Sequence, residues 1–184
     1  MADDQLKREV PVLCAPVTSE SWRSFKRAHG IYKSRGGSRS MATLISDEAL
    51  PILRMLVPSD TDFATVADAA LSAELEKLYG PQDKKEARAL LERVKLPSGK
   101  ASGGVRAAVD TYITAFAAEL DGIPTHLQPS DRVVLTMFLE GIRQPGLRSD
   151  VAAEEPATLV EAMMALRVES KVWEKVEAWL PDPF

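Results

Sequence analysis

The sequence predicts an all-α protein made of two small helical lobes. Alanine, leucine and valine dominate the composition, and aromatic residues make up only 6% of it. Clusters of β-branched and aromatic residues, which favour strands, are scarce. Apolar residues recur at helical spacing between separators rich in proline and glycine. A length of 184 residues fits one domain or two small ones.

The first part of the chain, residues 1–18, is predicted to be an extended N-terminal segment. Residues 1–10 are polar and charged, as in a loose tail. Pro11 and Pro16 exclude a helix from residues 11–18. This segment is expected either to lie in a groove or to pair with another chain, with Cys14 as a small buried apolar residue.

A first helix is predicted to begin at Ser19. Its aromatic residues are spaced so that they share one face: Trp22, Phe25, His29 and Tyr32. The glycines and serines of residues 34–40, SRGGSRS, then predict a mobile loop.

A second helix is predicted with Ser46 as its N-cap. Asp47 and Glu48 would lie in its first turn, where the positive end of the helix dipole favours acidic residues. Pro58 would end it.

A third helix is predicted to restart at residues 59–61 and to end at Gly80-Pro81. Glycine followed by proline is typical of a helix end. We therefore predict the lobe boundary here, with an N-terminal lobe at 19–81 and a C-terminal lobe at 82–184.

Beyond the boundary, the pattern predicts helices at about 84–96, 105–121, 130–140 and 147–151, and one from Thr158 to about Leu180. Asp83 with Glu86 and Thr158 with Glu161 have the spacing of capping boxes. Gly141 is predicted to end its helix in a left-handed cap.

The charge is distributed unevenly along the chain. The net charge is −4, yet residues 22–39 contain no acidic side chain. A basic segment of this kind is either a solvated helix face or a contact for RNA or another polyanion. The candidate contact residues are Arg23, Lys26, Arg27, Lys33, Arg35 and Arg39.

No group of residues indicates catalysis, a metal site or a cofactor. Two histidines and one cysteine are too few for a zinc knuckle. Residues 98–104, SGKASGG, lack the spacing of a phosphate-binding loop and are predicted to be a flexible break. The adjacent carboxylates Glu154 and Glu155 lie in a predicted connector between helices, which explains them without a catalytic role. We therefore predict a protein that is not an enzyme and that binds no cofactor.

The sequence has neither a membrane-spanning run nor the apolar core of a signal peptide. We expect a soluble cytoplasmic protein without a membrane partner.

Five sequence pieces follow one another at plausible spacing: LISDEAL (44–50), Phe63 with LYGP (78–81), Tyr112-Ile113 with Phe116, FLEGIRQPGLRSDV (138–151) and PATLVEAMMALRVE (156–169). Their joint order resembles the Gag capsid proteins of gypsy-type retrotransposons, which have a bilobar capsid as in the neuronal protein Arc. The resemblance covers roughly residues 11–172.

This resemblance implies a structural protein that assembles into a shell around retrotransposon RNA, a virus-like particle. The N-terminal lobes would form hexamers and pentamers, and the C-terminal lobes would join neighbours as dimers. The chain departs from the family because no CCHC zinc knuckle follows. RNA contact is then expected from residues 22–39 or from sequence beyond Phe184.

Assembly requires exposed apolar anchors. The candidate oligomer-interface residues are Trp173, Val176, Trp179 and Leu180, and Trp22, Phe25 and Tyr32 are further candidates on the first helix. The alternative function is a domesticated Gag-derived adaptor that binds peptides or other proteins without packaging RNA. A nucleic-acid-binding module using residues 22–39 is a third hypothesis.

Overall fold

The computed structural model describes residues 10–177, without the side chains of Lys100, Ala101, Val176 and Glu177. The structure is 66% helix. Within the described residues, extended segments pair only at a single parallel bridge between Leu13 and Ile45. The prediction of an all-α protein is therefore confirmed.

The α-helices of the described part are α1 (Ser19–Ser34), α2 (Leu50–Arg54), α3 (Asp68–Tyr79), α4 (Lys84–Arg93), α5 (Gly99–Ser102), α6 (Val105–Asp121), α7 (Asp131–Gly141), α8 (Pro145–Ala153) and α9 (Leu159–Glu177). Short 3₁₀ turns occur at Met41–Leu44, Phe63–Thr65 and Thr125–Leu127. The chain divides into two compact units, Met1–Gln82 and Asp83–Phe184. We refer to them as the N-unit and the C-unit.

The core of the N-unit forms where the aromatic face of α1 packs against α3. Trp22 and Phe25 on α1 are buried, as are Leu71 and Leu75 on α3. A reciprocal pair of hydrogen bonds begins α1: the Ser21 N–H donates to Thr18 Oγ1, and the Thr18 N–H donates to Ser21 Oγ. This cap satisfies backbone donors that a helix start leaves without partners.

The extended segment before α1 pairs with its own chain. The Leu13 N–H donates to the Leu44 carbonyl (2.9 Å), and the Ser46 N–H donates to the Leu13 carbonyl (2.9 Å). The Leu13 side chain is buried, while Cys14 faces outward. The expectation that Cys14 is buried is therefore wrong, because alternate side chains of an extended segment point to opposite sides.

The second predicted helix is shorter than expected. It begins at Leu50, and residues 47–49 form a turn. Ser46 does not cap it with its side chain, since the Ser46 hydroxyl is buried without a hydrogen-bond partner. The third predicted helix also begins late, at Asp68, because the preceding residues form the 3₁₀ turn at Phe63–Thr65.

Residues 34–40, predicted as a mobile loop, fold back onto Tyr32. The Arg39 N–H donates to the Tyr32 hydroxyl (3.2 Å). Gly37 lies so close to the Tyr32 ring that no Cβ fits there, and Gly36 adopts a left-handed conformation with φ of 87°. Gly36 and Gly37 thus allow the chain to turn closely against the Tyr32 ring.

The core of the C-unit is built by the long helices α6 and α9 together with α4, α7 and α8. Tyr112, Phe116 and Phe138 form an aromatic cluster with ring centroids 5.0–6.1 Å apart. All three are fully buried.

Both capping positions predicted for the C-unit accept hydrogen bonds. The Glu86 N–H donates to the Asp83 carboxylate (2.8 Å) at the start of α4. Before α9, the Glu161 N–H donates to Thr158 Oγ1 and the Thr158 N–H donates to Glu161 Oε2, both at 3.2 Å. This second site is a complete capping box.

Two details of the C-unit differ from the predictions. Residues 99–102, placed in a flexible break, form the short helix α5, which ends at Gly103 with φ of 82°. Gly141 is not in a left-handed conformation, since α7 ends there with Ile142 at φ of −75°. Gly141 instead allows the Tyr112 side chain to approach α7 closely. A Cβ at this position would clash with the Tyr112 hydroxyl and lie 2.9 Å from Tyr112 Cζ.

Candidate assembly and binding surfaces

The basic residues predicted to contact a polyanion do not all have the same environment. Arg23 and Arg27 lie four residues apart on α1, on the side opposite the buried aromatic face. Lys33 and Arg35 are exposed at its C-terminal end, and Arg39 is exposed beyond it.

Lys26 takes part in a packing contact inside the N-unit. Its Nζ lies 3.0 Å from Glu76 Oε2 on α3 and 6.0 Å from the centroid of the Trp22 ring. The Trp22 indole N–H donates to the same carboxylate oxygen at 3.0 Å. Since Glu76 compensates its charge, Lys26 contributes less to a polyanion-binding surface than its place in the sequence suggests.

The aromatic residues of α1 are not exposed anchors. Trp22 is 0% exposed, Phe25 4% and Tyr32 8%. The interpretation of these three as assembly contacts is wrong, because they supply the apolar face with which α1 packs on its own unit.

Trp173 on α9 packs within the C-unit. Its indole N–H donates to Asp150 Oδ2 on α8 at 2.8 Å. A Cβ on Gly146 would lie 2.7 Å from the edge of the ring, which shows how closely α8 approaches it. The described structure therefore gives Trp173 partners inside its own chain. The side chain of Val176, and Trp179 and Leu180, lie outside the described residues, so the interface role of all four stays a prediction.

The solvent-facing side of α9 carries apolar residues that the sequence analysis did not single out. Four of them follow one another at intervals of four residues: Val160, Met164, Val168 and Val172, which are 64%, 63%, 58% and 54% exposed. We call this set the α9 stripe. The same helix carries a second apolar series, which contains Leu159 and Leu166 and packs in the C-unit core.

Among the described residues, no group of three or more His, Cys, Asp or Glu side chains could hold a metal ion. His29 is buried, and its Nε2 lies 3.7 Å from Asp68 Oδ2, too far for a hydrogen bond. Burial raises the pKa of the Tyr112 phenol above its ordinary value.

No helix within the described residues is both long enough and apolar enough to cross a lipid bilayer. Comparison of the chain with protein-family models, with curated proteins and with solved structures gives no match.

Proposed function

We propose that this protein is a structural capsid protein of the Gag type, which self-assembles through its helical units into a shell, a cytoplasmic virus-like particle enclosing retrotransposon RNA. One observation carries the proposal: the sequence pieces that resemble the family in the C-unit meet in one buried core. Their fully buried members are Tyr112, Phe116, Phe138, Ile142, Leu147, Val151, Ala162 and Leu166.

The connection between the first two of these pieces is specific. The Tyr112 hydroxyl donates to the Phe138 carbonyl at 2.7 Å. That carbonyl lies in the last turn of α7, where the helix itself supplies no donor. Gly141 leaves room for the tyrosine ring. Tyr112 of the first piece and Gly141 of the second thus belong to the same contact.

The last two pieces set the course of the chain from α7 to α9. Pro145 occupies the first turn of α8, where its missing N–H removes no helical hydrogen bond. Leu147 and Val151 then bury their side chains against the core, and the Thr158–Glu161 capping box begins α9. Each motif residue therefore has a structural role, either in the C-unit core or at the start of a helix of that unit.

Electron microscopy of the purified protein, over a series of protein and salt concentrations, tests the proposal. High salt screens the repulsion between acidic copies of the chain and favours assembly. We expect rings or closed shells that become more abundant with concentration. A sample that stays monomeric in every condition would contradict the proposal.

RNA contact by the basic segment is a separate part of the proposal. We expect salt-dependent RNA binding that weakens when Arg35 and Arg39 are replaced by Glu. Each cation that is removed lowers the number of counterions that the RNA releases on binding. The matched control is the double variant Arg132→Glu, Arg143→Glu, which makes the same charge change at exposed positions outside the basic segment. Equal losses for the two variants, or none for either, would leave RNA capture to other sequence.

An adaptor that binds peptides is the second candidate, favoured by the pairing of the N-terminal segment with its own unit. Leu13 fills a buried site and pairs its backbone with the residues around Ile45. A site that accepts an extended segment of its own chain can accept a similar segment of another protein.

Deletion of residues 1–18 tests this alternative. We expect a synthetic peptide of residues 10–18 to bind the shortened chain, and the same peptide with Leu13→Asp not to bind. Circular dichroism verifies that the shortened chain remains helical. Absence of peptide binding by a helical shortened chain would exclude this version of the adaptor function.

A further inference from the structure

The α9 stripe lies between two grooves of opposite charge. Met164 and Val168 line both grooves and so form the ridge that separates them. The first groove, of about 330 Å³, contains Glu154, Glu161 and Glu169 and no basic side chain among its lining residues. This side of the ridge is therefore acidic.

The second groove, of about 300 Å³, is basic. Three cationic side chains line it, from Arg106, Arg167 and Lys171, together with one carboxylate, Asp110. Asp110 lies 3.0 Å from Arg167 Nε, and Glu174 Oε2 lies 3.9 Å from Arg106 Nε, so carboxylates compensate two of the three charges. The ridge thus has a strongly negative flank and a more weakly positive flank, whose cation without a carboxylate partner among the described residues is Lys171.

We propose that the α9 stripe binds the α9 stripe of a second copy of this chain, with the two helices running in the same direction. The twofold axis of such a pair runs between the two helices and bisects their crossing angle, so that unlike flanks of the two copies face each other. Each acidic groove then meets the basic groove of the other copy, at two equivalent places. An antiparallel pair would bring acidic groove against acidic groove and basic against basic, which costs energy.

The charge pattern also determines the kind of partner. A nucleic acid or an anionic membrane complements only one sign of charge, and would be repelled by the acidic flank. An apolar ridge with one flank of each sign complements itself, and a twofold pair closes without leaving a free copy of the surface. Ridges formed by residues four apart favour helix crossing at roughly 50°, which concentrates the contact at Met164 and Val168.

This inference rests on the proposed function, since it names where the C-units of neighbouring subunits would join in a shell. Among the described residues of the C-unit, the stripe holds the large apolar side chains that are more than half exposed, whereas Trp173 packs inside its own unit.

Sedimentation equilibrium of the full chain tests the contact. We expect the wild-type protein to dimerise with increasing concentration, and the double variant Met164→Glu, Val168→Glu to be monomeric at the same concentrations. Both side chains are more than half exposed, so their replacement leaves the core intact. The control is Met55→Glu in the N-unit, where the side chain is 84% exposed. A wild-type monomer, or a variant that dimerises as well as the wild type, would overturn the proposal.

Charge reversal tests the direction of the helices. In the described structure, the side chains of Glu169 and Lys171 make no hydrogen bond or ion pair, and the two residues lie two positions apart, about 3 Å along the helix. We expect Glu169→Lys and Lys171→Glu each to weaken the dimer about tenfold, and the two together to restore it. An antiparallel pair predicts the opposite, with each single reversal strengthening the dimer, and that result or an unchanged affinity would overturn the parallel arrangement.

Electron microscopy of the Met164→Glu, Val168→Glu variant separates this inference from the proposed function. Shells that form equally well from the variant would refute the α9 contact while leaving the capsid function in place. Dimers that depend on the α9 stripe, without shells in any condition, would support the contact and contradict the capsid function.

Discussion

At the scale of single residues, Tyr112 is the residue that connects two of the motif pieces of the C-unit. Its ring is fully buried between α6 and α7, and its hydroxyl donates to the Phe138 carbonyl at 2.7 Å. Burial disfavours the phenolate and raises the pKa of the Tyr112 phenol. The residue therefore contributes to stability through packing, through one hydrogen bond and through its protonation state.

Replacement of Tyr112 by Phe is expected to lower the free energy of unfolding by about 1 kcal/mol at neutral pH, because the Phe138 carbonyl loses its donor. Above about pH 10, the free energy of unfolding of the wild type should also fall more steeply with pH than that of the Tyr112→Phe variant. There the unfolded tyrosine releases its proton, while the folded one, with its raised pKa, retains it.

Urea denaturation from pH 7 to 11 measures both effects. The wild-type and variant slopes should differ by at most about 1.4 kcal/mol per pH unit, and only on the alkaline side. Parallel pH profiles for the two proteins would contradict the assignment of the alkaline loss to Tyr112.

Replacement of Gly141 by Ala is expected to destabilise the protein by about 1–3 kcal/mol. The added Cβ would clash with the Tyr112 hydroxyl and lie 3.1 Å from the Val94 carbonyl. The tyrosine cannot move away cheaply, because it is buried and hydrogen-bonded. The measurement is the urea midpoint.

Gly30→Ala in α1 is the matched control for this change. A Cβ there meets nothing within 4 Å, so alanine should stabilise the helix by roughly 0.5–1 kcal/mol. Equal effects at the two glycines would mean that helix propensity, and not the contact with Tyr112, determines the cost.

At the scale of the elements, local signals in the sequence were sufficient where a helix end is made by neighbouring residues. The Thr158–Glu161 capping box and the Asp83 cap are examples, since both partners lie within three residues of each other. The α-helical class follows from such signals together with apolar spacing.

The predictions failed where a distant residue determines the local conformation. Ser46 looked like a helix cap, but its N–H bonds to Leu13, which lies more than thirty residues earlier. The spacing of the aromatic residues on α1 predicted a shared face but not its burial, since burial depends on α3. No local pattern identifies such partners.

The capping box of α9 yields a prediction at this scale. Thr158→Ala is expected to lower the free energy of unfolding by about 1 kcal/mol, because the Glu161 N–H loses the hydroxyl that accepts its hydrogen bond. Thermal unfolding followed by circular dichroism measures the change.

Ser130→Ala provides the comparison, since Ser130 is the N-cap residue of α7 but its side chain makes no capping hydrogen bond. Its loss should cost less than about 0.5 kcal/mol. A Ser130 variant as unstable as the Thr158 variant would show that residue type alone, and not the hydrogen bond, determines the effect.

At the scale of the whole molecule, the two units each contain a buried cluster of their own. The cluster of the N-unit extends from Leu13 to Leu75, and that of the C-unit from Ala87 to Leu166. A segment with its own apolar core and its own helix caps meets the requirements of an independently folding domain. The α9 stripe thus belongs to the C-unit, and the basic residues Arg23 and Arg27 of α1 belong to the N-unit. This division is expected of a protein whose two lobes make different contacts.

Residues 83–184 produced alone are therefore expected to fold into a helical domain that unfolds cooperatively in urea. Leu166→Ala, which removes a fully buried side chain from the C-unit core, should lower the stability of this fragment by about 2–5 kcal/mol. The matched change Val168→Ala, on the exposed stripe of the same helix, should alter it by less than about 0.5 kcal/mol at protein concentrations that keep the fragment monomeric. A fragment without a cooperative transition would mean that the C-unit core needs the rest of the chain, and the fragment could not then serve to isolate the α9 contact. A cooperative fragment that still dimerises through Met164 and Val168 would locate the association in the C-unit alone.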